Sequence, residues 1–148
     1  MWSYILIVVI NTKSIYTKLI SLNIIGMVKN LFDADRKRFN HYIIELFNIK
    51  GNYLNNHKEI ANKILLLLKI LDLNVVKIVN HKYTPQGLTT AFVLSSSHLI
   101  VHTWPEYNYL HIDLFTCSAI KNEKETRKII NSLFIHKEMV IRKIKYGK

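Results

Sequence analysis

Cysteine is almost absent from this chain of 148 residues: Cys117 is the only one, so no intrachain disulfide can form and a cysteine-rich zinc site is excluded. A reducing, cytoplasmic setting is therefore expected. Glycine and proline are also scarce, at four and two residues, which rules out a collagen-like chain. Acidic residues number 10 against 21 basic ones, leaving a formal net charge of +11 at pH 7. Charge of that size bears on solubility and non-specific partners rather than on fold. A long apolar run is missing too. Tyr4 to Ile10 is nonpolar or aromatic throughout, but no Lys or Arg precedes it and no small-residue cleavage site follows. Asn11, Lys13, Lys18, Ser21 and Asn23 then interrupt it, whereas a membrane span needs about 20 apolar residues. No span is expected.

What is present suits one folded domain: 49% apolar and 21% charged residues, in a length typical of a single core. The charged segment with Asp33, Asp35, Arg36, Lys37 and Arg38 separates residues 1–38, read as an N-terminal extension with Met27 as an alternative start, from a domain over 39–148. Phe39 to Ile49 is rich in aromatic and branched residues and is followed by Gly51 and Asn52, which predicts a strand. Ile60, Ala61, Ile64, Leu67, Leu68 and Leu71 recur at three and four positions, an amphipathic helix over 57–71. Strands are predicted over 75–79, 89–94, 98–103 and 109–115. In the last of these, Leu110, Ile112 and Leu114 alternate with His111 and Asp113, the pattern of a half-buried antiparallel strand. A second helix begins near Asn122, which has Glu125 three positions on, and buries Ile129, Ile130, Leu133 and Phe134. A strand over 139–145 closes the order β-α-β-β-β-β-α-β. The fold class is α+β: a two-layer α/β sandwich, with an antiparallel sheet covered on one face by two helices.

Between Thr84 and Cys117 the polar residues cluster: Ser95, Ser96, Ser97, His98, His102, Thr103, Trp104, Pro105, Glu106, Tyr107, His111, Asp113 and Cys117. A Ser/His/Asp hydrolase can be assembled from such a set, but no Gly-x-Ser-x-Gly elbow surrounds the serines. A zinc site of His98, His102 and His111 lacks a close-spaced ligand pair, so no metal is assigned.

Taken together, Pro85-Gln86-Gly87, Ser97-His98, His102-Thr103-Trp104-Pro105-Glu106-Tyr107 and Asp113-Leu114-Phe115-Thr116-Cys117 resemble the prokaryotic S-adenosylmethionine decarboxylases, self-processing enzymes of polyamine and spermidine synthesis. The resemblance spans roughly 39–145 and implies the same two-layer sandwich, paired into a homodimer of cleaved protomers. It implies that Ser97 is the precursor of a covalent pyruvoyl group, the pyruvate cofactor, made when the Ser96–Ser97 bond is cut to give fragments 1–96 and 97–148. That group would form a Schiff base with the substrate amine and accept the electrons left by carbon dioxide. By the same resemblance His102 is the processing base, Thr89 the processing hydroxyl and Cys117 the proton donor to the substrate α-carbon. Glu106 then binds ribose hydroxyls, and Tyr83 stacks on adenine.

Three departures from the family pattern stand out: Ser96 replaces a glutamate before the pyruvoyl serine, Asn108 replaces a glycine, and Thr90 replaces a glycine and is expected to add bulk near the site. Asn108 is a mild change if its backbone is left-handed. The substrate implied is S-adenosylmethionine. Arginine or ornithine decarboxylation, and a processing-dead homologue that acts as a binding partner, are the alternatives. Basic clusters at Lys121–Lys128 and Lys137–Lys148 contain no recognised nucleic-acid module and read as solvated faces, so no specific nucleic acid is expected.

Overall fold

A computed structural model of the chain describes Met27 and residues 39–146 other than Lys121. The boundary expected at residue 38 and, Met27 aside, the extension before it fall outside the described residues.

Among the described residues six strands form one sheet: β1 (Asn40–Phe47), β2 (Val75–Lys82), β3 (Leu88–Leu94), β4 (Ser97–Trp104), β5 (Tyr109–Thr116) and β6 (Glu138–Ile144). Their spatial order is β2-β3-β4-β5-β1-β6, and every neighbouring pair is antiparallel. Helix α1 (His57–Ile70) connects β1 to β2, and α2 (Glu123–Leu133) connects β5 to β6. The element order is the one expected from the sequence. The main difference is β2, which runs three residues past Val79 because Asn80, His81 and Lys82 continue the pairing with β3.

The alternation that makes these strands also separates their two faces. Ile44, Leu46, Phe92, Leu99, Val101, Leu110, Ile112 and Leu114 are buried and meet Ile60, Ile64, Leu67 and Leu68 of α1 and Ile130 of α2 in one core. Each such side chain withdrawn from water contributes about 1.5–3 kcal/mol, the main force holding the helices on that face. Asn56 caps α1, its side chain accepting from Lys58 N–H at 3.1 Å and Glu59 N–H at 3.3 Å. Asn122 caps α2 through Glu125 N–H at 3.0 Å.

The other face carries His41, Ile43, Glu45, Thr89, His98, Ile100, His102, His111, Asp113 and Phe115, all of them half-buried. Thr90 does not belong to it. It is buried on the helix side beside Leu88 and Phe92 and donates to Asn80 Oδ1 at 2.9 Å, so the bulk expected near the site projects away from Thr89.

Thr103 ties the two layers together at the far end of β4. Its hydroxyl accepts from Leu88 N–H at 2.9 Å and donates to the Leu54 carbonyl at 2.8 Å. Beside it, residues 83–87 form a loop closed by Tyr83 N–H donating to Gly87 O at 2.9 Å. Gly87 has φ +101°, a backbone that strains any L side chain, and a Cβ there would stand in tight contact, 3.1 Å from the Thr103 carbonyl, so both features favour glycine.

Candidate active site

The polar residues singled out in the sequence fall into two groups at opposite ends of β4. Ser97 begins the strand and His102 lies five positions on, which at about 3.3 Å per residue is roughly 16 Å away.

At the first end, Ser95 and Ser96 turn the chain from β3 into β4, with Leu94 and Ser97 paired across the turn. Ser95 N–H donates to Asn74 O at 3.0 Å, and the Ser96 carbonyl accepts from Cys117 N–H at 3.1 Å. The Ser96 hydroxyl lies 3.2 Å from Thr116 Oγ1 and 2.8 Å from Ser118 Oγ. Ser118 N–H in turn donates to Thr116 Oγ1 at 3.0 Å, and Asn40 Nδ2 donates to Ser118 O at 2.9 Å. Ser97 has φ +145°, a conformation that L side chains rarely adopt, that costs about 1–3 kcal/mol and that persists only where its surroundings enforce it. Cys117 is exposed.

At the second end lies a cavity of about 330 Å³ lined by Tyr83, Gln86, Gly87, Leu88, Thr89, His102, Thr103, Trp104 and Glu106. Within this lining Thr89 shares hydrogen bonds with His102 Nδ1 at 2.8 Å and Tyr83 Oη at 3.0 Å. Register explains the first contact, because Thr89 and His102 are opposed on β3 and β4. Glu106 follows in a short 3-10 turn (Pro105–Tyr107), where Gln86 Nε2 donates to its Oε2 at 3.2 Å. That turn ends at Asn108 with φ 49°, the left-handed residue that asparagine tolerates best after glycine.

Burial holds the His102 pKa below its ordinary value. The neighbouring His111 lowers it further, while Asp113 pulls the other way. The His102 and His111 rings are opposed on β4 and β5, with centroids 6.1 Å apart. Tyr109 shares a 3.4 Å hydrogen bond with His111 Nδ1 and donates to Glu45 Oε1 at 2.9 Å, and Glu45 pairs with Arg142. Burial alone would raise the Glu45 pKa, but the hydrogen bonds from Tyr109 and Arg142 outweigh it and the net shift is downward. Tyr109 is pushed up to about 12, first by burial and then by Glu45.

The structure thus brings Tyr83, Thr89, His102 and Glu106 together, and separately Ser96, Ser97 and Cys117. Within one chain it does not bring Ser97 to His102. Sequence reasoning missed Gln86 as the partner of Glu106, His111 as the neighbour of His102, and Thr116 and Ser118 around Ser96. Alternation along β5 gave a signal for His111. For Thr116 and Ser118 it gave none, because their relation to Ser96 depends on the β4–β5 register.

The fold and these two groups define a small two-layer sandwich that carries hydroxyl and thiol groups at one end of β4 and an imidazole, a phenol and a carboxylate at the other. A family model described as S-adenosylmethionine decarboxylase matches residues 40–147. The chain is 35% identical over 108 residues to an S-adenosylmethionine decarboxylase proenzyme of Clostridium botulinum type F, covering 73% of this chain and 93% of that protein. A proenzyme of the same description from Clostridium kluyveri is 35% identical over 109 residues, covering 72% and 85%. Among solved structures, the adenosylmethionine decarboxylase of Aquifex aeolicus VF5 superposes with a TM-score of 0.61 at 17% identity, covering 74% of this chain and 91% of that one, a likeness of fold. The chain belongs to the S-adenosylmethionine decarboxylase family, a family of carbon–carbon lyases.

Proposed function

We propose that this chain is a cytoplasmic, pyruvoyl-dependent decarboxylase of S-adenosylmethionine that matures by cutting itself between Ser96 and Ser97, and that a second copy completes its active site. The hairpin at Ser95–Ser97 carries the reading: a hydroxyl nucleophile follows directly on a carbonyl held by the Cys117 N–H.

In maturation the Ser97 hydroxyl adds to the Ser96 carbonyl carbon, forming a C–O bond and placing negative charge on the oxygen that Cys117 N–H contacts. Loss of the C–N bond, with a proton passing to the Ser97 nitrogen, leaves an ester. A base then removes the Ser97 α-proton and the Cβ–O bond breaks, releasing Ser96 as a carboxylate C-terminus and leaving dehydroalanine. Tautomerisation and attack by one water expel ammonia and leave the pyruvoyl group. Ser97 fits this role because it begins β4 beside the exposed Cys117, at the tip of the sheet.

His102 suits the base. Its lowered pKa favours the neutral ring at physiological pH, and in the tautomer whose proton lies on Nδ1, the nitrogen that shares a hydrogen bond with Thr89 Oγ1, Nε2 is free to accept. Since His102 lies roughly 16 Å along β4 from Ser97 of the same chain, the base must come from elsewhere. A twofold axis lying between two open sheet faces, crossing β4 near Ile100, exchanges its two ends and sets Ser97 of one copy over His102 of the other. The half-buried aromatic and aliphatic residues of that face, Ile43, Ile100 and Phe115 among them, favour its coverage by such an isologous partner.

Once formed, the pyruvoyl carbonyl supplies the electron sink for loss of carbon dioxide from an α-amino acid. Cys117 returns the proton to the substrate α-carbon. In the cavity Glu106 accepts hydrogen bonds from ribose hydroxyls, with Gln86 fixing one of its oxygens, and Tyr83 lies against adenine. The cationic sulfonium gains nothing from a chain at +11, so its attraction rests on local groups such as Glu106 and the Tyr83 ring.

Mass spectrometry of the purified protein tests the reading. Fragments 1–96 and 97–148, the second beginning with pyruvate, are expected. An intact chain after long incubation overturns it.

A further inference from the structure

The φ of +145° at Ser97 has a stereochemical meaning for the cut. In an L residue the torsion from the preceding carbonyl carbon through N and Cα to Cβ trails φ by about 120°, from tetrahedral geometry at Cα. At an ordinary strand φ near −120° Cβ therefore stands far from that carbonyl. At +145° it comes within roughly 25° of eclipsing it. Closing a five-membered ring of Oγ, Cβ, Cα, N and the Ser96 carbonyl carbon requires a small torsion there. The strained backbone of Ser97 is thus already folded toward the product of hydroxyl attack.

Strain of this kind persists only where neighbours enforce it, and the neighbours lie around Ser96. Its carbonyl is held by Cys117 N–H at 3.1 Å, and its hydroxyl is seated between Thr116 Oγ1 at 3.2 Å and Ser118 Oγ at 2.8 Å. Thr116 is fully buried and accepts from Ser118 N–H, while Asn40 holds the Ser118 carbonyl, so the seat is itself fixed. Carbonyl and side chain together prevent the Ser96–Ser97 peptide from rotating relative to β5.

We propose that Ser96, seated between Thr116 and Ser118, is a positioning residue for self-cleavage that holds Ser97 in the conformation from which its hydroxyl closes on the scissile carbonyl. The inference rests on the maturation proposed above and concerns its first step, the acyl shift from nitrogen to oxygen.

The test follows cleavage of freshly made full-length chain by denaturing gel, for wild type, Ser96→Ala, Ser118→Ala, the double variant and Ser96→Thr. Parallel samples contain hydroxylamine, which cleaves the ester directly and so reports the acyl shift without the later elimination. Ser96→Ala and Ser118→Ala are each expected to slow cleavage about three- to tenfold, with and without hydroxylamine. The double variant should be no slower than Ser96→Ala, because both changes empty one seat. Ser96→Thr, which keeps the hydroxyl, should stay within about twofold of wild type, and thermal midpoints should not follow the rates. Ser118→Ala keeps the test decisive if Ser96→Ala folds poorly. Wild-type cleavage with unchanged rates in both alanine variants overturns this inference alone, as does slowing that hydroxylamine relieves. A wild-type chain that never cleaves overturns the proposed function along with it.

Discussion

The two ends of β4 are ordered by different chemistry. At Ser97 the order is made of backbone and hydroxyl groups: a carbonyl accepting a hydrogen bond from an amide, a hydroxyl seated between two others, and a strained φ. At His102 it is made of groups that titrate or bind, an imidazole, a phenol and a carboxylate around one cavity. The first end suits a reaction in which the chain attacks itself, since geometry governs the acyl shift. The second suits proton transfer and recognition of a small molecule, which need an adjustable pKa and an accessible wall. Under the proposed function neither end is sufficient alone, and the distance along β4 makes the division a property of the fold rather than of a side-chain rotamer.

Removing the nucleophile breaks the comparison most severely. Ser97→Ala should abolish cleavage altogether, leaving one intact species by mass spectrometry, with the second end unaffected in structure. His102→Ala comes next. Loss of a general base costs about 10²–10⁴-fold, so cleavage of this variant should all but stop on the timescale of wild-type maturation. Coexpression of the two variants then decides whether the ends cooperate within or between chains. A mixed dimer has one site joining Ser97 of the His102→Ala chain to His102 of the Ser97→Ala chain. Cleavage of the His102→Ala chain in the mixture is expected, and its absence would show that the ends act in cis or not at all.

How much of this was legible in the sequence follows from the same geometry. Period-two alternation along β5 and the helical spacing of Ile60, Ile64, Leu67 and Leu68 report burial on one side, and these elements appear where they were expected. β2 was read too short because it is an edge strand whose residues beyond Val75 are all exposed, so its later positions carry no apolar signal. Alternation also contained the answer for Thr90: adjacent strand residues face opposite ways, and only Thr89 can reach the cavity. The motifs singled out the candidate residues at both ends of β4 but not their separation, since His102 and Ser97 are close in number and distant in space. The converse holds for Ser96 and Ser118, which lie 22 positions apart and share a 2.8 Å hydrogen bond. Only the pairing of β4 with β5 makes them neighbours.

The pH dependence of cleavage sharpens the contrast more gently. The titrating group lies at the second end, where burial and His111 lower the His102 pKa and Asp113 opposes them. The base is the neutral form, so cleavage should be fastest above that pKa and fall as pH drops through it, with a midpoint below the ordinary imidazole value near 6.5. The stability contribution has the same sign. Because the unfolded chain holds the proton more tightly, stability is lost as pH falls from the unfolded toward the folded pKa. Replacing His111 by Gln removes one lowering influence and should move the midpoint of the cleavage profile upward. A profile unmoved by that change would mean that elimination does not depend on His102 titration.

The smallest expected effect concerns recognition alone. Glu106 is exposed on a short turn that lines the cavity, and Gln86 holds one of its carboxylate oxygens. A charged acceptor for a hydroxyl contributes about 1.5–3 kcal/mol at best, and less where water competes. Glu106→Gln should therefore raise KM for S-adenosylmethionine about tenfold with kcat changed little, because the lost interaction is present equally in ground and transition states. Cleavage at Ser97 should proceed normally in this variant, since no bond-breaking step of maturation involves the carboxylate. Gln86→Ala should shift KM less, about twofold, by the loss of orientation without loss of charge. If Glu106→Gln slowed maturation as much as it weakened substrate binding, the second end would be acting on the chain as well as on the small molecule, and the division of labour along β4 would fail.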